Sequence, residues 1–468
     1  MNLRLLRTET LALPALGAER REGVLTAVRA LTYIAFSTLI VLSPFRARFE
    51  LVSRPDTPVY GDYTDFLLFW SDIAFLAFLG LWGLGLLVSG RAPRLGPAVL
   101  RWPVIGLIAV TWLSAAASID PALSAYNALR LTAAAALAVY VLNEIDSIGK
   151  LAPALVAMVL LQGIVGIGQA IDQESVGLHQ LGEHRLEVNA GGTSVVWSDE
   201  GPRQLRAYGL ADHPNILGGL LGTALLLVAA AAARAGNLWR SPLAVVFAVG
   251  CAALLLTFSR TGALALATGL LLIFGLLAYR RDRHNLGAWV AVALGGVIVC
   301  LALVKPYGDE LWQRGVVFDA SEVSSTESRS LSEREALVKV SNDVFVGRPL
   351  LGTGAGTLPA AIKDGWPDFA YDYQPAHFAL LTVAAETGIV GGMMYGALIV
   401  VPFVLLWWRR RELTPELIAA SGALLAVTVI GLLDYYTWSL APGRIWFWLV
   451  LGLWVGAYMR RREAVDDA

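Results

Sequence analysis

The chain has 468 residues, of which 56% are hydrophobic and only 16% charged, and its mean hydropathy is +0.61. A soluble domain carries about 25% charged residues, so these proportions exclude a soluble globular protein and point to a membrane protein. The 36 basic and 37 acidic residues leave a net charge of −1, which removes any electrostatic case for nucleic-acid binding.

The first 22 residues mix Arg4, Arg7, Arg20 and Arg21 with Glu9, Glu19 and Glu22, and no cleavable signal pattern precedes the first apolar run. Apolar runs of about 18 or more residues mark membrane spans. They fall at 24–44, 66–89, 102–118, 122–142, 151–171, 214–233, 241–258, 262–279, 286–304, 378–407, 414–433 and 443–459, giving about twelve helices. The expected regions are a tail 1–23, a five-helix region 24–171, a first loop 172–213 and central helices 214–304 interrupted by a turn at 259–261. A large loop 305–377, C-terminal helices 378–459 and a second tail 460–468 complete the chain. Cys251 and Cys300 both lie in apolar runs and imply no disulfide framework.

The connections sort by charge. One set holds the N-terminal tail, Arg91/Arg94/Arg101, Lys150, Arg234/Arg240, Arg280/Arg281/Arg283, Arg409/Arg410/Arg411 and Arg460/Arg461/Arg462. The other holds the acidic or mixed connections 45–65, 119–121, 172–213, 259–261, 305–377 and 434–442. The two sets alternate strictly, so the positive-inside rule predicts both termini in the cytoplasm and both long loops outside.

That alternation locates Arg260, which otherwise interrupts the apolar stretch "LLLTFSRTGALALA". It falls in the short outward turn Ser259-Arg260-Thr261 and is not stranded in hydrocarbon, where a guanidinium costs at least about 2.5 kcal/mol. The first long loop contains "VNAGGTSVV", a turn or hairpin pattern. In the second, Leu337, Val340 and Val344 recur at helical spacing behind a Ser332/Glu335 capping-box pattern. Some 70 residues without structure are not expected in a loop, which predicts a small helical lid. Gly352-Thr353-Gly354-Ala355-Gly356 lacks the lysine and strand-to-helix context of a phosphate loop and reads as a tight turn. His179 and His184 match no metal spacing and read as solvated surface, and His284 as topological charge. Asp72 and Arg130 both lie a few residues below the outer surface and suggest an ion pair that serves helix packing. Glu386 is nine residues past His377, close to half a turn out of phase, so helix geometry does not pair them.

Four segments together resemble one known family. "RAYGLADHPNILGG" resembles the Arg-x-x-Gly…Pro-Asn segment of the O-antigen ligase and O-antigen polymerase family, and "LLLTFSRTGALALATGLLL" its Ser-Arg-(Thr/Gly)-Gly helix start. "EREALVKVSNDVFVGRPLLGTGAGT" followed by "PAHFALLTVAAETGIVGG" resembles its outer-loop segment. The likeness covers roughly residues 200–410, with one departure: Phe378 stands where the family usually has Asn.

The resemblance implies an all-α, GT-C-like polytopic glycosyltransferase of the bacterial inner membrane, with its active site facing the periplasm. Its donor would be a glycan on undecaprenyl diphosphate and its acceptor lipid A–core or a growing glycan, with membrane lipids around it and no cofactor or metal. It further implies His377 as general base, and Arg206 and Arg260 as diphosphate ligands, since arginine keeps its charge and offers a planar fork to phosphate oxygens. Arg334 and Arg348 are candidate glycan or diphosphate contacts, and Asp434 a candidate to orient a cation or the acceptor. Among activities a ligase is favoured, with a polymerase of the same family as the alternative. A protein O-glycosyltransferase, or a transporter or flippase, stands further off, because the charges crowd the outer face and no internal repeat stands out.

Overall fold

The structure is a computed structural model that describes residues 18–196, 203–315 and 325–466. Most of the expected N-terminal tail, the tip of the first loop at 197–202 and the opening of the larger loop at 316–324 lie outside the described residues.

Five long helices come first: α1 (Ala18–Leu42), α2 (Trp70–Ser89), α3 (Ala98–Ala116), α4 (Pro121–Glu144) and α5 (Ala152–Asp172). Then follow α6 (Pro214–Arg234), α7 (Asn237–Leu256), α8 (Arg260–Tyr279) and α9 (Arg283–Gly315). α10 (Ser325–Gly347) and the short α11 (Leu358–Gly365) occupy the larger loop, and α12 (Ala379–Trp408), α13 (Pro415–Leu433), α14 (Tyr436–Ser439) and α15 (Ala441–Asp466) complete the chain. Among the described residues eleven helices are long and apolar enough to cross a membrane, so the protein is an all-α polytopic membrane protein. α15, over the expected twelfth span, is not among the eleven. It carries Arg444 and three tryptophans, and Trp446, Trp448 and Trp454 are buried inside the bundle.

Local sequence explains several helix starts. Pro121, Pro214 and Pro415 sit in the first turn, where a missing N–H costs nothing. Asp120, His213 and Thr414 stand before them and accept from the backbone N–H groups of Leu123, Asn215 and Leu417. Three boundaries differ from expectation. α9 continues past 304 to Gly315, with its break at Tyr307 just after Pro306. Ser332 does not cap α10, because the chain is already helical from Ser325. The connection 45–65 contains β1 (Arg48–Val52), which pairs antiparallel with β2 (Phe66–Phe69) at the start of the expected second span.

α6 is the centre of the bundle and is buried from Pro214 through Ala233 apart from Asn215. Its small residues allow that. A Cβ on Gly222 would stand 2.6 Å from the Gly262 carbonyl oxygen, and one on Gly262 would stand 2.5 Å from the Gly218 carbonyl. Backbone therefore meets backbone, and the start of α8 with Arg260 is drawn against the start of α6.

α12 is a broken helix. At Gly388 (φ 77°, ψ −177°) the chain takes a conformation that only glycine adopts at low cost. The break frees backbone groups that must be satisfied at this depth. The glycine-rich turn 349–357 supplies the partners: Thr353 and Gly354 N–H donate to the Ala385 and Glu386 carbonyls (3.0 and 2.8 Å), and Ile389 N–H donates to the Pro349 carbonyl (2.8 Å). The turn is a structural plug for a helix break. Around it, Val59, Leu337, Val340, Val344, Leu358, Ile362 and Tyr373 form a small apolar core. Gly388→Ala is expected to cost about 2–3 kcal/mol or more, because a Cβ there also overlaps the Leu350 carbonyl. Thermal unfolding of the detergent-purified protein checks this. Gly396→Ala, whose Cβ meets only Leu380 at 3.7 Å, is the near-neutral control.

Candidate functional site

Five of the six connections that charge assigns to one face are joined by direct contacts at one end of the bundle. Asp212 accepts from Arg46 (3.1 Å) and Arg48 (2.9 Å), Arg54 pairs with Asp120 (2.7 Å), and Lys363 pairs with Asp56. Ser118 Oγ donates to the Thr353 carbonyl (3.0 Å), and Tyr63 Oη donates to Tyr435 Oη (2.9 Å). The basic connections meet likewise at the other end, where Arg234 pairs with Glu416 (2.6 Å) and Arg460 Nη1 donates to the Ile145 carbonyl (3.0 Å).

Arg206 is 3% exposed and its donors are directed into the protein. Nε donates to the Thr257 carbonyl (2.8 Å), Nη1 to Ser194 Oγ (2.8 Å) and Nη2 to Asn215 Oδ1 (2.6 Å). One guanidinium thus ties the first long loop, the start of α6 and the turn before α8 together. Arg260 is the first residue of α8 and half-buried, just after Ser259, whose Oγ accepts from Gly262 N–H (3.2 Å). Phe258 takes a left-handed conformation (φ 48°) that reverses the chain in this turn. The structure therefore ties Arg206 to the Arg260 turn through the Thr257 carbonyl.

His377 lies two residues before α12. Its ring stacks on Tyr435 (centroids 5.0 Å apart, planes at 7°), and Nδ1 stands 3.8 Å from Asp434 Oδ1 with no hydrogen-bond partner. Burial lowers the His377 pKa below its ordinary 6.5, and Arg334 lowers it further, while Asp434 raises it. The lowering wins, so the imidazole is neutral near pH 7 and its contact with Asp434 is not an ion pair. Asp434 is 4% exposed and accepts from the Tyr435 N–H (2.8 Å). Burial also holds the Tyr435 hydroxyl protonated, and it donates to Gln374 Oε1 (3.1 Å), whose Nε2 donates to Glu333 (2.7 Å).

Arg334 lies on α10, and its Nε is buried without a hydrogen-bond partner. Arg348 is exposed at the end of that helix, over a separate shallow hollow with Asp343, Asp364 and Trp366, and is not drawn to His377. A neutral base loses activity as pH falls through its pKa, so the acid limb of the rate profile is expected below pH 6.5. Removing a cation raises the His377 pKa and removing an anion lowers it. Arg334→Gln should move that limb up and Asp434→Asn should move it down, as read from the rate between pH 4 and 8.

Beside Tyr435 a cavity of about 220 Å³ opens among Tyr63, Tyr126, Asn127, His213, Glu386 and Arg444. Asp72 and Arg130 do pair (2.8 Å), and Arg130 also donates to the Leu67 carbonyl and Tyr126 Oη. Glu386 accepts from Trp438 Nε1 (2.8 Å) and makes no pair with His377. His184 is not simply solvated: its Nε2 lies 3.0 Å from the Asp212 carbonyl, and burial lowers its pKa. Among the described residues no group of three or more His, Cys, Asp or Glu side chains is arranged to hold a metal ion. Arg444, Tyr63 and Tyr435 escaped the sequence reading. Arg444 carried a signal, a lone arginine in an apolar run, but it sat at the flank of an expected span.

Residues 243–396 match the family described as O-antigen ligase. Over these residues the chain is similar to that family. The match takes in the Arg260 turn, Arg334, the glycine-rich plug, His377 and the break in α12, whereas Arg206 and Asp434 lie outside it. An O-antigen ligase match within a polytopic membrane protein supports a membrane function of the O-antigen ligase or polymerase type. No curated protein matches the chain.

Proposed function

We propose that this protein transfers a glycan from undecaprenyl diphosphate to an acceptor hydroxyl at the outer face of the bacterial inner membrane, acting as an O-antigen ligase with lipid A–core as acceptor. The observation that carries the reading is His377: a neutral imidazole with an unpartnered Nδ1, within the O-antigen ligase domain and among the same connections as the Arg260 turn.

In the reaction the acceptor oxygen attacks the anomeric carbon of the donor sugar. The bond from that carbon to the phosphate oxygen breaks, the electron pair leaves with undecaprenyl diphosphate, and His377 takes the acceptor proton. Arg260 faces the charge that grows on the leaving diphosphate, where fixed cations do most for such a transition state. Arg206 holds the turn that presents Arg260. Asp434 and Tyr435 orient the imidazole by contact and stacking.

A polymerase would use the same groups with a second carrier-linked glycan as acceptor. Purified protein given an undecaprenyl-diphosphate glycan and lipid A–core separates the two. The ligase reading expects the glycan on lipid A–core and no lengthened carrier-linked product. Chain growth on the carrier would make it a polymerase, and the absence of any transfer would defeat both.

A further inference from the structure

Two residues that line the cavity beside Tyr435 each have a buried polar atom with no hydrogen-bond partner: Arg444 Nη1 and Ser439 Oγ. Arg444 is only 6% exposed, and its Nε and Nη2 are held by the Trp438 carbonyl (3.0 and 2.8 Å), with Nη2 also 3.3 Å from Asn127 Oδ1. That leaves one arm of a buried guanidinium unmatched, which is costly unless a ligand completes it.

The charge balance restricts what that ligand is. Among the lining charges Asp62 and Asp212 are already paired with Arg48 and Arg46, and Arg130 with Asp72, which leaves Asp65 and Glu386 against Arg444. A phosphate group would meet more anions than cations. A neutral, hydroxyl-rich ligand suits the wall better, because hydroxyls both donate and accept while Tyr126, Phe69 and Tyr435 add apolar surface to the lining. At about 220 Å³ the space is smaller than the 300–1,000 Å³ of drug-sized sites and matches a single ring. Its position decides which ring. Tyr435 and Pro375 line the cavity and flank His377, whereas Arg206 and Arg260 do not line it.

We infer that this cavity is a monosaccharide subsite, held by Arg444 and Ser439, that receives the uncharged terminal sugar of the acceptor. The assignment to the acceptor rests on the transferase reading above; the binding of a sugar does not.

The test uses the full-length protein in a sugar-free detergent, titrated with D-glucose, D-galactose and N-acetyl-D-glucosamine and read by saturation-transfer NMR. At least one of these should bind, and Arg444→Gln should weaken it about tenfold, the scale of a lost hydrogen bond to a charged group. Ser439→Ala should weaken it severalfold, and it keeps the test decisive if Arg444→Gln does not fold. Inorganic pyrophosphate should not displace the sugar. Failure of all three sugars to bind, wild-type affinity in Ser439→Ala, or displacement by pyrophosphate would each overturn the subsite. In transfer assays with lipid A–core the same variants should raise the acceptor KM and leave the donor KM alone. A raised donor KM would assign the cavity to the donor. Sugar binding by a protein that transfers nothing would sink the transferase reading and leave the subsite standing.

Discussion

His377→Ala is expected to lose roughly 10²–10⁴-fold in transfer rate, the usual contribution of a positioned general base, while binding the lipid-linked donor with unchanged affinity. The side chain stands at the head of α12, with its ring against Tyr435 and its Nδ1 buried without a hydrogen-bond partner. No donor phosphate needs a neutral imidazole, so removing it should spare binding. Donor affinity is read by equilibrium binding of the labelled lipid and rate by transfer of its sugar. A variant that turns over normally would leave His377 as a residue that fixes the helix start. One that loses donor affinity as completely as it loses rate would make it a ligand.

Arg260→Ala should behave in the opposite way, losing donor affinity together with roughly 10²–10³-fold in rate, as expected when a donor aimed at developing charge is removed. Arg260→Lys should recover little, because an ammonium cannot replace a planar fork on two phosphate oxygens. Arg206→Ala should lose transfer as well, but by another route. Its guanidinium is buried and bonded to Thr257, Ser194 and Asn215, so its removal should also lower the unfolding temperature, whereas half-buried Arg260 should leave it nearly unchanged. Wild-type turnover in Arg260→Ala would reduce that side chain to an arginine marking a helix end.

The parts of the fold that were legible in the sequence are those set by local rules. Hydropathy over a window of one span located the helices, and the alternation of basic and acidic connections grouped six segments, five of which are joined by direct contacts. The turn that carries Arg260 followed from that alternation. Distant partners set the rest. "ETGIVGG" reads as continuous helix, and only the plug from 349–357 makes a break at Gly388 tolerable. The Ser332/Glu335 pattern fitted a helix start, yet the chain was already helical seven residues earlier. The Tyr63–Tyr435 contact that builds the wall beside His377 spans 372 residues, and nothing local announces it. Arg444 was visible as an isolated charge, but only the cavity gives it a role.

The proposed reaction is a single displacement, in which His377 would stand opposite the diphosphate at Arg260. The most direct measurement is the anomeric configuration of the sugar before and after transfer, read by NMR on the undecaprenyl-diphosphate donor and on the first product formed by the purified protein. Inversion at that carbon is the predicted result. Retention would require a covalent intermediate or a front-side attack, and would contradict the assignment of His377 as the base.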